Sequence, residues 1–215
     1  MRATLAVSIA IATAGALIVF LACGQPARAF TVNITAANPK AIYLQVGVGT
    51  FTGGNYNAGG APGNNATVNT VSVSVPAASV GNGVAQAMTT NSPQAISFYD
   101  GFTFCNLPAQ LYIGGFYRNT TNTGAATVTA TSPANLINGT GDTIPFTQIS
   151  WTSSGNGDTG AQPFPAGTFV GGVQTIGTIS RNQWAESCHT FSYANTSIRP
   201  AGTYTGRVTY TLSSP

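Results

Sequence analysis

Charged side chains are nearly missing from this sequence. Lys and Arg contribute 7 residues and Asp and Glu contribute 4, or 5% of the chain, whereas an average globular domain is about a quarter charged. The basic residues are scattered singly, which excludes the clustered positive surface of a nucleic-acid-binding protein. Beyond residue 29 the charged residues are Lys40, Asp100, Arg118, Asp142, Asp158, Arg181, Glu186, Arg199 and Arg207.

Groups suited to catalysis or metal binding are equally few. His189 is the single histidine and no Gly-x-Ser-x-Gly pattern occurs, so a Ser-His-acid triad would have to be built on His189. Two of the dispersed acids could converge as a glycosidase pair, but isolated loop acids are the favoured interpretation. The segment Ser153–Gly160 lacks the spaced carboxylates of a calcium loop. We therefore predict no enzymatic activity, no metal and no cofactor, with a secreted hydrolase as the least favoured function.

The first 29 residues are predicted to be a signal peptide. Arg2 precedes an apolar run from Leu5 to Ala22, and Ala27–Ala29 forms a small-x-small cleavage site. A membrane span is one alternative, because the run has 18 residues, the lower limit for crossing a bilayer. Lipidation at Cys23 is another. Cleavage after Ala29 predicts a secreted or cell-surface protein, exported through the periplasm if the source is Gram-negative.

Cysteine is also scarce. Of the three cysteines, cleavage would leave Cys105 and Cys188, and in an oxidising compartment these are predicted to form one disulfide. Two buried free thiols are the alternative. A catalytic cysteine is disfavoured because His189 follows Cys188 directly, and neighbours in a strand point to opposite faces.

The body of the chain is predicted to be all-β. After residue 30 no long apolar stripe of helical period occurs, whereas alternation with period two is frequent. We predict a signal peptide over 1–29, an N-terminal extension over 30–38 and one β-sandwich domain over 39–215. Loops are predicted at 53–65 and 153–160. Clear strands are predicted at 30–36, 42–48, 71–75, 126–131 and 203–212, and weaker ones at 95–99, 110–117, 146–152, 173–180 and 186–193.

Aromatic side chains could form a sugar-binding platform, since ring faces stack on apolar sugar faces. Core packing is the more frequent role of such residues in β-sandwiches. Tyr56, in a Gly- and Asn-rich loop, is the best candidate for exposure. A self-complete extracellular binding module, for instance for glycans, is therefore an alternative function. The other candidate rings are Trp151, Trp184, Tyr43, Tyr112, Tyr117 and Tyr193.

Both ends of the predicted mature chain resemble one protein family. The segment Pro200–Leu212 carries a Gly-x-Tyr turn followed by alternating Val and Thr. It resembles the closing strand of bacterial fimbrial subunits and of the spore-coat-U-like secreted pilins. The segment Phe30–Ala36, directly after the cleavage site, resembles the donor strand of such subunits.

The resemblance implies an immunoglobulin-like sandwich that is incomplete and is completed by strand addition from the next subunit. It implies a secreted structural or adhesive subunit of a fimbrium, which self-associates into a polymer and has a periplasmic chaperone as a further partner, with no nucleic acid. The donor-strand residues would be Phe30, Val32, Ile34 and Ala36, and the acceptor edge would consist of Tyr204, Val208, Tyr210 and Leu212.

Overall fold

A computed structural model describes residues 30–52, 61–63 and 65–215, and these residues form an all-β fold. The predicted signal peptide, Cys23 and Tyr56 lie outside the described residues. Two 3-10 turns, Ala77–Ser79 and Phe146–Gln148, are the helical elements of the described ranges. The strands are β1 (Thr31–Asn33), β2 (Ala41–Val46), β3 (Phe51–Thr52), β4 (Ala61–Pro62), β5 (Val71–Ser72), β6 (Gln86–Ala87), β7 (Thr89–Thr90), β8 (Leu111–Arg118), β9 (Ala126–Thr131), β10 (Asn135–Ile137), β11 (Thr143–Pro145), β12 (Ile149–Ser154), β13 (Gly167–Thr168), β14 (Val173–Ile179), β15 (Gln183–Tyr193) and β16 (Thr209–Ser213).

The strands form two main antiparallel sheets. The larger has the order β13-β12-β15-β8-β2, and the smaller has the order β14-β9-β16. Strand β15, with 11 residues, is the centre of the larger sheet. One of its edges pairs with β1 and then β12, and the other pairs with β8 and then β6. Three short two-stranded sheets, β3–β4, β5–β7 and β10–β11, lie outside these sheets. Nowhere in the described ranges is there a helix with the length and apolar character needed to span a membrane.

The main core lies between the two sheets, as a β-sandwich requires. Strand β9 contributes Ala126, Val128 and Ala130, which are buried, while the alternating threonines are more exposed. Strand β16 places Tyr210 and Leu212 against the same core. The alternation in these two segments therefore correctly predicts which side chains face inward.

The larger sheet is also covered on its other face. A second cluster of buried residues lies there, and side chains from β1 and from the loop before β8 pack against it. As a result all eight residues of β8 are buried. The second cluster consists of Tyr43, Phe104, Cys105, Tyr112, Phe116, Trp184 and Cys188, with Phe30, Val32, Ile34, Ala41, Phe98 and Tyr99 packed against it.

Some predicted strands are wrong or too long. Segment 95–99 is not a strand, because the chain turns back on itself there: the Ser97 amide donates to the Phe102 carbonyl at 2.8 Å. Residues 146–148 form a 3-10 turn before β12. Of 71–75, only the first two residues pair, with β7.

Candidate functional site: the N-terminal strand and an acidic cavity

The N-terminal segment, predicted to be a donor strand, pairs with β15 of its own chain. Val32 lies opposite Trp184, and Asn33 lies opposite Gln183. Two further main-chain hydrogen bonds extend the pairing: Glu186 donates to the Phe30 carbonyl at 3.2 Å, and Ile34 donates to the Asn182 carbonyl at 2.8 Å. Phe30, Val32 and Ile34 thus pack on the second cluster, while Thr31 and Asn33 are exposed.

The end of this segment is held by Arg118, the last residue of β8. Its Nε donates to the Thr35 carbonyl at 2.6 Å and its Nη2 donates to the Ala36 carbonyl at 3.3 Å. The Arg118 side chain is 7% exposed, and its guanidinium lies 6.0 Å from the centre of the Phe116 ring. A short connection, Ala37–Lys40, then leads into β2.

Of the predicted acceptor-edge residues, Tyr210 and Leu212 lie in β16 of the smaller sheet, whereas Tyr204 and Val208 lie in the chain that precedes β16. Tyr210 pairs with Ala130 and Leu212 with Val128, so that β16 forms the edge of the smaller sheet. All four side chains are half-buried against the main core, and the Tyr204 hydroxyl donates to the Pro200 carbonyl at 2.8 Å. Within one chain, the structure does not bring these residues and the N-terminal segment together.

The predicted disulfide between Cys105 and Cys188 is confirmed, with the two Cα atoms 5.5 Å apart. It joins the loop before β8 to the centre of β15, inside the second cluster. Phe104, which is buried beside it, packs against the rings of Phe30 and Tyr112, with centroid distances of 5.6 and 6.4 Å. The bond therefore fixes the loop that faces the N-terminal segment.

A cavity of about 240 Å³ opens where this loop meets the beginning of the N-terminal segment. Three of the chain's four acidic residues line it, although the first and the last of them, Asp100 and Glu186, are 86 residues apart in sequence. This convergence is unexpected, since the sequence favours isolated loop acids. The lining residues are Phe30, Asp100, Phe102, Phe104, Asn156, Gly157, Asp158 and Glu186.

The walls of the cavity are tied together by main-chain contacts. The Asn156 amide donates to the Phe104 carbonyl at 2.8 Å, and its side-chain amide donates to the Thr103 carbonyl at 3.1 Å. Gly157, with φ +76°, allows the tight turn that places Asp158 opposite Gly155. The segments 103–104 and 155–158 are therefore joined in one wall of the cavity, and the Phe102 ring, which is 52% exposed, also lines it.

Glu186 forms the base of this site and is fully buried. Its Oε2 accepts hydrogen bonds from the Tyr112 hydroxyl and from Trp184 Nε1, the latter at 3.0 Å. Its Oε1 has no hydrogen-bond partner, and the Ser97 hydroxyl, which lowers the pKa of Glu186, makes no bond of normal geometry to it. Burial raises the pKa of Glu186 and the charge of Asp100 adds to this, whereas the side chains of Tyr112, Ser97 and Trp184 lower it.

Gly114 gives the Tyr112 hydroxyl room to reach Glu186, because Gly114 lies opposite Glu186 in the sheet. A Cβ at position 114 would overlap the Tyr112 hydroxyl and lie 2.7 Å from its Cζ. We expect Gly114→Ala to lower the free energy of unfolding by about 1–3 kcal/mol, the usual cost of overpacking, as measured by urea denaturation. Gly139→Ala is the control, since nothing lies within 4 Å of its added Cβ; equal midpoints for the two variants would contradict this role.

The cavity is not arranged as a metal centre. Across the described ranges, no group of three or more His, Cys, Asp or Glu side chains is placed to hold a metal ion. An ammonium group is the better match, because its three N–H groups donate hydrogen bonds to carboxylate oxygens without a fixed coordination geometry and it is also attracted to ring faces.

His189, the residue on which a triad would depend, lies on the opposite face of β15 and is 1% exposed. Its Nε2 contacts the Phe164 carbonyl at 3.0 Å and therefore carries the proton, while Nδ1 has no partner. The ring stacks on Trp151. Burial lowers the pKa of His189 to about 4. Neither ring nitrogen is positioned by a carboxylate, as a triad base is.

The proposed sugar platform is not found among the described candidate rings. These six rings are all buried in the two clusters, as core packing predicts: Trp151, Trp184, Tyr43, Tyr112, Tyr117 and Tyr193.

The sequence contained one signal for the acidic cavity. Cys188 and Glu186 are two apart in a strand and so share a face, and Asp100 is five residues before Cys105. The predicted disulfide therefore already brought Asp100 towards Glu186. No comparable signal existed for Asp158, which is placed by the turn at Gly155–Asp158.

No family model, no curated protein and no solved structure matches this chain. Its fold and the site just described are therefore the basis for a proposal about function.

Proposed function

We propose that this chain is a secreted structural or adhesive subunit, similar to bacterial pilins, that polymerises by strand exchange. The segment Phe30–Ala36 would leave β15 of its own chain and pair with β15 of a neighbouring copy. The proposal depends on one observation, the position of this segment in the fold. The segment pairs with an edge of β15, and its side chains Phe30, Val32 and Ile34 pack against the second cluster.

Exchange costs little when the same contacts form in both states. Only three residues of the segment have strand pairing, and the connection Ala37–Lys40 can serve as the hinge. The two carbonyls held by Arg118 precede that hinge. They would therefore move with the strand and be held by Arg118 of the neighbour. Alternate side chains in the cluster and main-chain bonds at the edge are the two components of recognition by strand addition.

A disulfide trap tests the exchange directly. Asn33 and Gln183 lie opposite each other, with Gln183 Nε2 donating to Asn33 Oδ1 at 3.2 Å. They occupy a non-hydrogen-bonded position, where side chains lie close together. We expect the mature Asn33→Cys/Gln183→Cys chain, oxidised after assembly, to give a ladder of covalent multimers on a non-reducing gel. The same chain oxidised as a monomer should stay monomeric in size-exclusion chromatography and show no filaments in electron microscopy.

The control pair is Thr131→Cys/Thr209→Cys, which joins β9 to β16, two strands that do not exchange in this proposal. It should give only intramolecular bonds, whether or not the chain assembles. Two results would refute strand exchange. One is filament formation by the Asn33→Cys/Gln183→Cys chain that was oxidised as a monomer. The other is an assembled and then oxidised Asn33→Cys/Gln183→Cys chain that runs only as a monomer on the gel.

A self-complete extracellular binding module is the second candidate, because β1 already completes the sheet edge within one chain. The half-exposed Phe102 ring, beside Asn156 and Asp158, is then the surface suited to a sugar. In that case the mature chain is a monomer at all concentrations, and Phe102→Ala weakens binding to any glycan that a screen identifies.

A further inference from the structure

We propose that the acidic cavity binds the α-ammonium group of Phe30, formed when the signal peptide is removed. The inference rests on the export part of the proposed function. Hydrolysis of the Ala29–Phe30 peptide bond consumes one water and leaves a carboxylate on Ala29 and an amino group on Phe30, which is protonated at neutral pH. Cleavage therefore creates a positive charge at a residue that lines the cavity.

The position of Phe30 supports this assignment. Its carbonyl accepts a hydrogen bond from the Glu186 main-chain amide at 3.2 Å, so Phe30 lies beside the residue whose carboxyl group forms the base of the cavity, and both residues line it. Its ring is fixed by edge contact with Tyr99 and by Phe104, both at 5.6 Å between centroids. The nitrogen of Phe30 consequently cannot move far from the cavity while the strand is paired.

The chemistry of the cavity matches an ammonium group. A buried carboxylate oxygen without a partner is unfavourable, and Glu186 Oε1 is such an atom. Asp100 and Asp158 add negative charge from two other loops, and the Phe104 ring also lines the cavity, where an aromatic ring can attract a cation. Three tyrosines are titratable neighbours: Tyr112 is hydrogen-bonded to Glu186, Tyr99 contacts the Phe30 ring, and Tyr43 lies in the same cluster as Tyr112. Before cleavage the same position carries only a neutral amide, so removal of the signal peptide completes the site.

Strand exchange would transfer the interaction between subunits. The ammonium of one chain would then lie among the acids of the next, since the strand brings its own first residue with it. The group bound is the same in both arrangements, so capture of the ammonium can be tested independently of assembly.

The test is the pKa of this amino group, measured by competitive acetylation over a pH series with mass spectrometry. Lys40 is the only lysine of the chain, so the peptide Phe30–Lys40 contains both amines without the cavity and is a matched reference. We expect the pKa of the Phe30 amino group in the exported, folded chain to exceed that in the peptide by at least one unit, where it should be about 8. Burial of the amino group without the nearby acids would lower its pKa. The direction of the pKa shift therefore distinguishes binding by the acids from burial alone.

Asp100→Asn and Glu186→Gln should each bring the pKa back towards the peptide value, and Asp142→Asn, outside the cavity, should leave it unchanged. Thermal unfolding will show whether Glu186→Gln folds. If it does not, the pKa of the Phe30 amino group in Asp100→Asn and in Asp158→Asn provides the test, and it should fall towards the peptide value in both. A Phe30 pKa equal to or below that of the peptide overturns the proposal, and so does an exported chain that begins at another residue. If the Phe30 amino group has a raised pKa but the Asn33→Cys/Gln183→Cys chain gives no covalent ladder, the cavity binds the ammonium group and strand exchange is refuted.

Discussion

Removal of the disulfide is expected to cost this protein a large part of its stability. The bond spans 83 residues, and for a loop of that size the chain-entropy relation gives a stabilisation of about 4.5 kcal/mol. Typical domains have only about 5–15 kcal/mol in total. We expect the Cys105→Ala/Cys188→Ala chain to show a correspondingly lower urea midpoint, followed by the fluorescence of the buried Trp151 and Trp184.

The effect should also be local, because the bond fixes the loop that carries Asp100, Phe102 and Phe104 against β15. We therefore expect hydrogen exchange to rise first in this loop and in the N-terminal segment that it covers. Alanine is the suitable replacement, since serine would bury a hydroxyl in the aromatic cluster. Reductant should lower the midpoint of the natural chain and leave that of the double variant unchanged. A natural chain insensitive to reductant would show that the loop is held by packing alone.

The all-β fold was predictable because many segments show period two, but the strength of that signal depends on how many faces a strand buries. Strand β9 has one face in the core and alternates clearly. Strand β8 reads Leu-Tyr-Ile-Gly-Gly-Phe-Tyr-Arg and is buried on both faces, so apolar residues and glycines do not alternate with polar ones before Arg118 and its signal is weak. Strand β2 shows the intermediate case: Leu44 faces the main core as predicted, but Tyr43 and Gln45 are buried on the other side.

The site was less predictable than the fold. The pattern at 30–36 agrees with the half-burial of Phe30, Val32 and Ile34 against the second cluster, because alternate side chains of a strand share a face. It contained no information about which edge the segment would choose. Likewise, the dispersed acids gave no sign of convergence beyond the disulfide, because Asp100 and Asp158 lie in loops whose paths are set by turns such as that at Gly157.

Acid is expected to destabilise the fold through His189. Its pKa is about 4 in the folded chain and 6.5 when unfolded, so the unfolded state binds a proton first as the pH falls. The contribution of His189 to the free energy of unfolding should therefore be constant above pH 7 and should decrease from about pH 6.5 towards pH 4. The full loss is about 3.5 kcal/mol, at about 1.4 kcal/mol per pKa unit, and about 3 kcal/mol of it is lost by pH 4. The physical cause is the burial of the ring between Trp151 and Phe191.

Other groups titrate in the same range, so the contribution of His189 must be isolated. Glu186, whose pKa is raised, opposes the trend, because it favours the folded state while protonated. Asp142, whose pKa is lowered by Asn138 and Thr140, adds to the acid loss. Both groups are retained in His189→Gln, which preserves an N–H donor for the Phe164 carbonyl and does not titrate. Urea denaturation at pH 7 and pH 4 gives the free energy of unfolding of the natural chain and of this variant. The difference between the two chains should change by about 3 kcal/mol from pH 7 to pH 4. If the free energies of the two chains instead change in parallel with pH, the buried histidine does not govern acid unfolding.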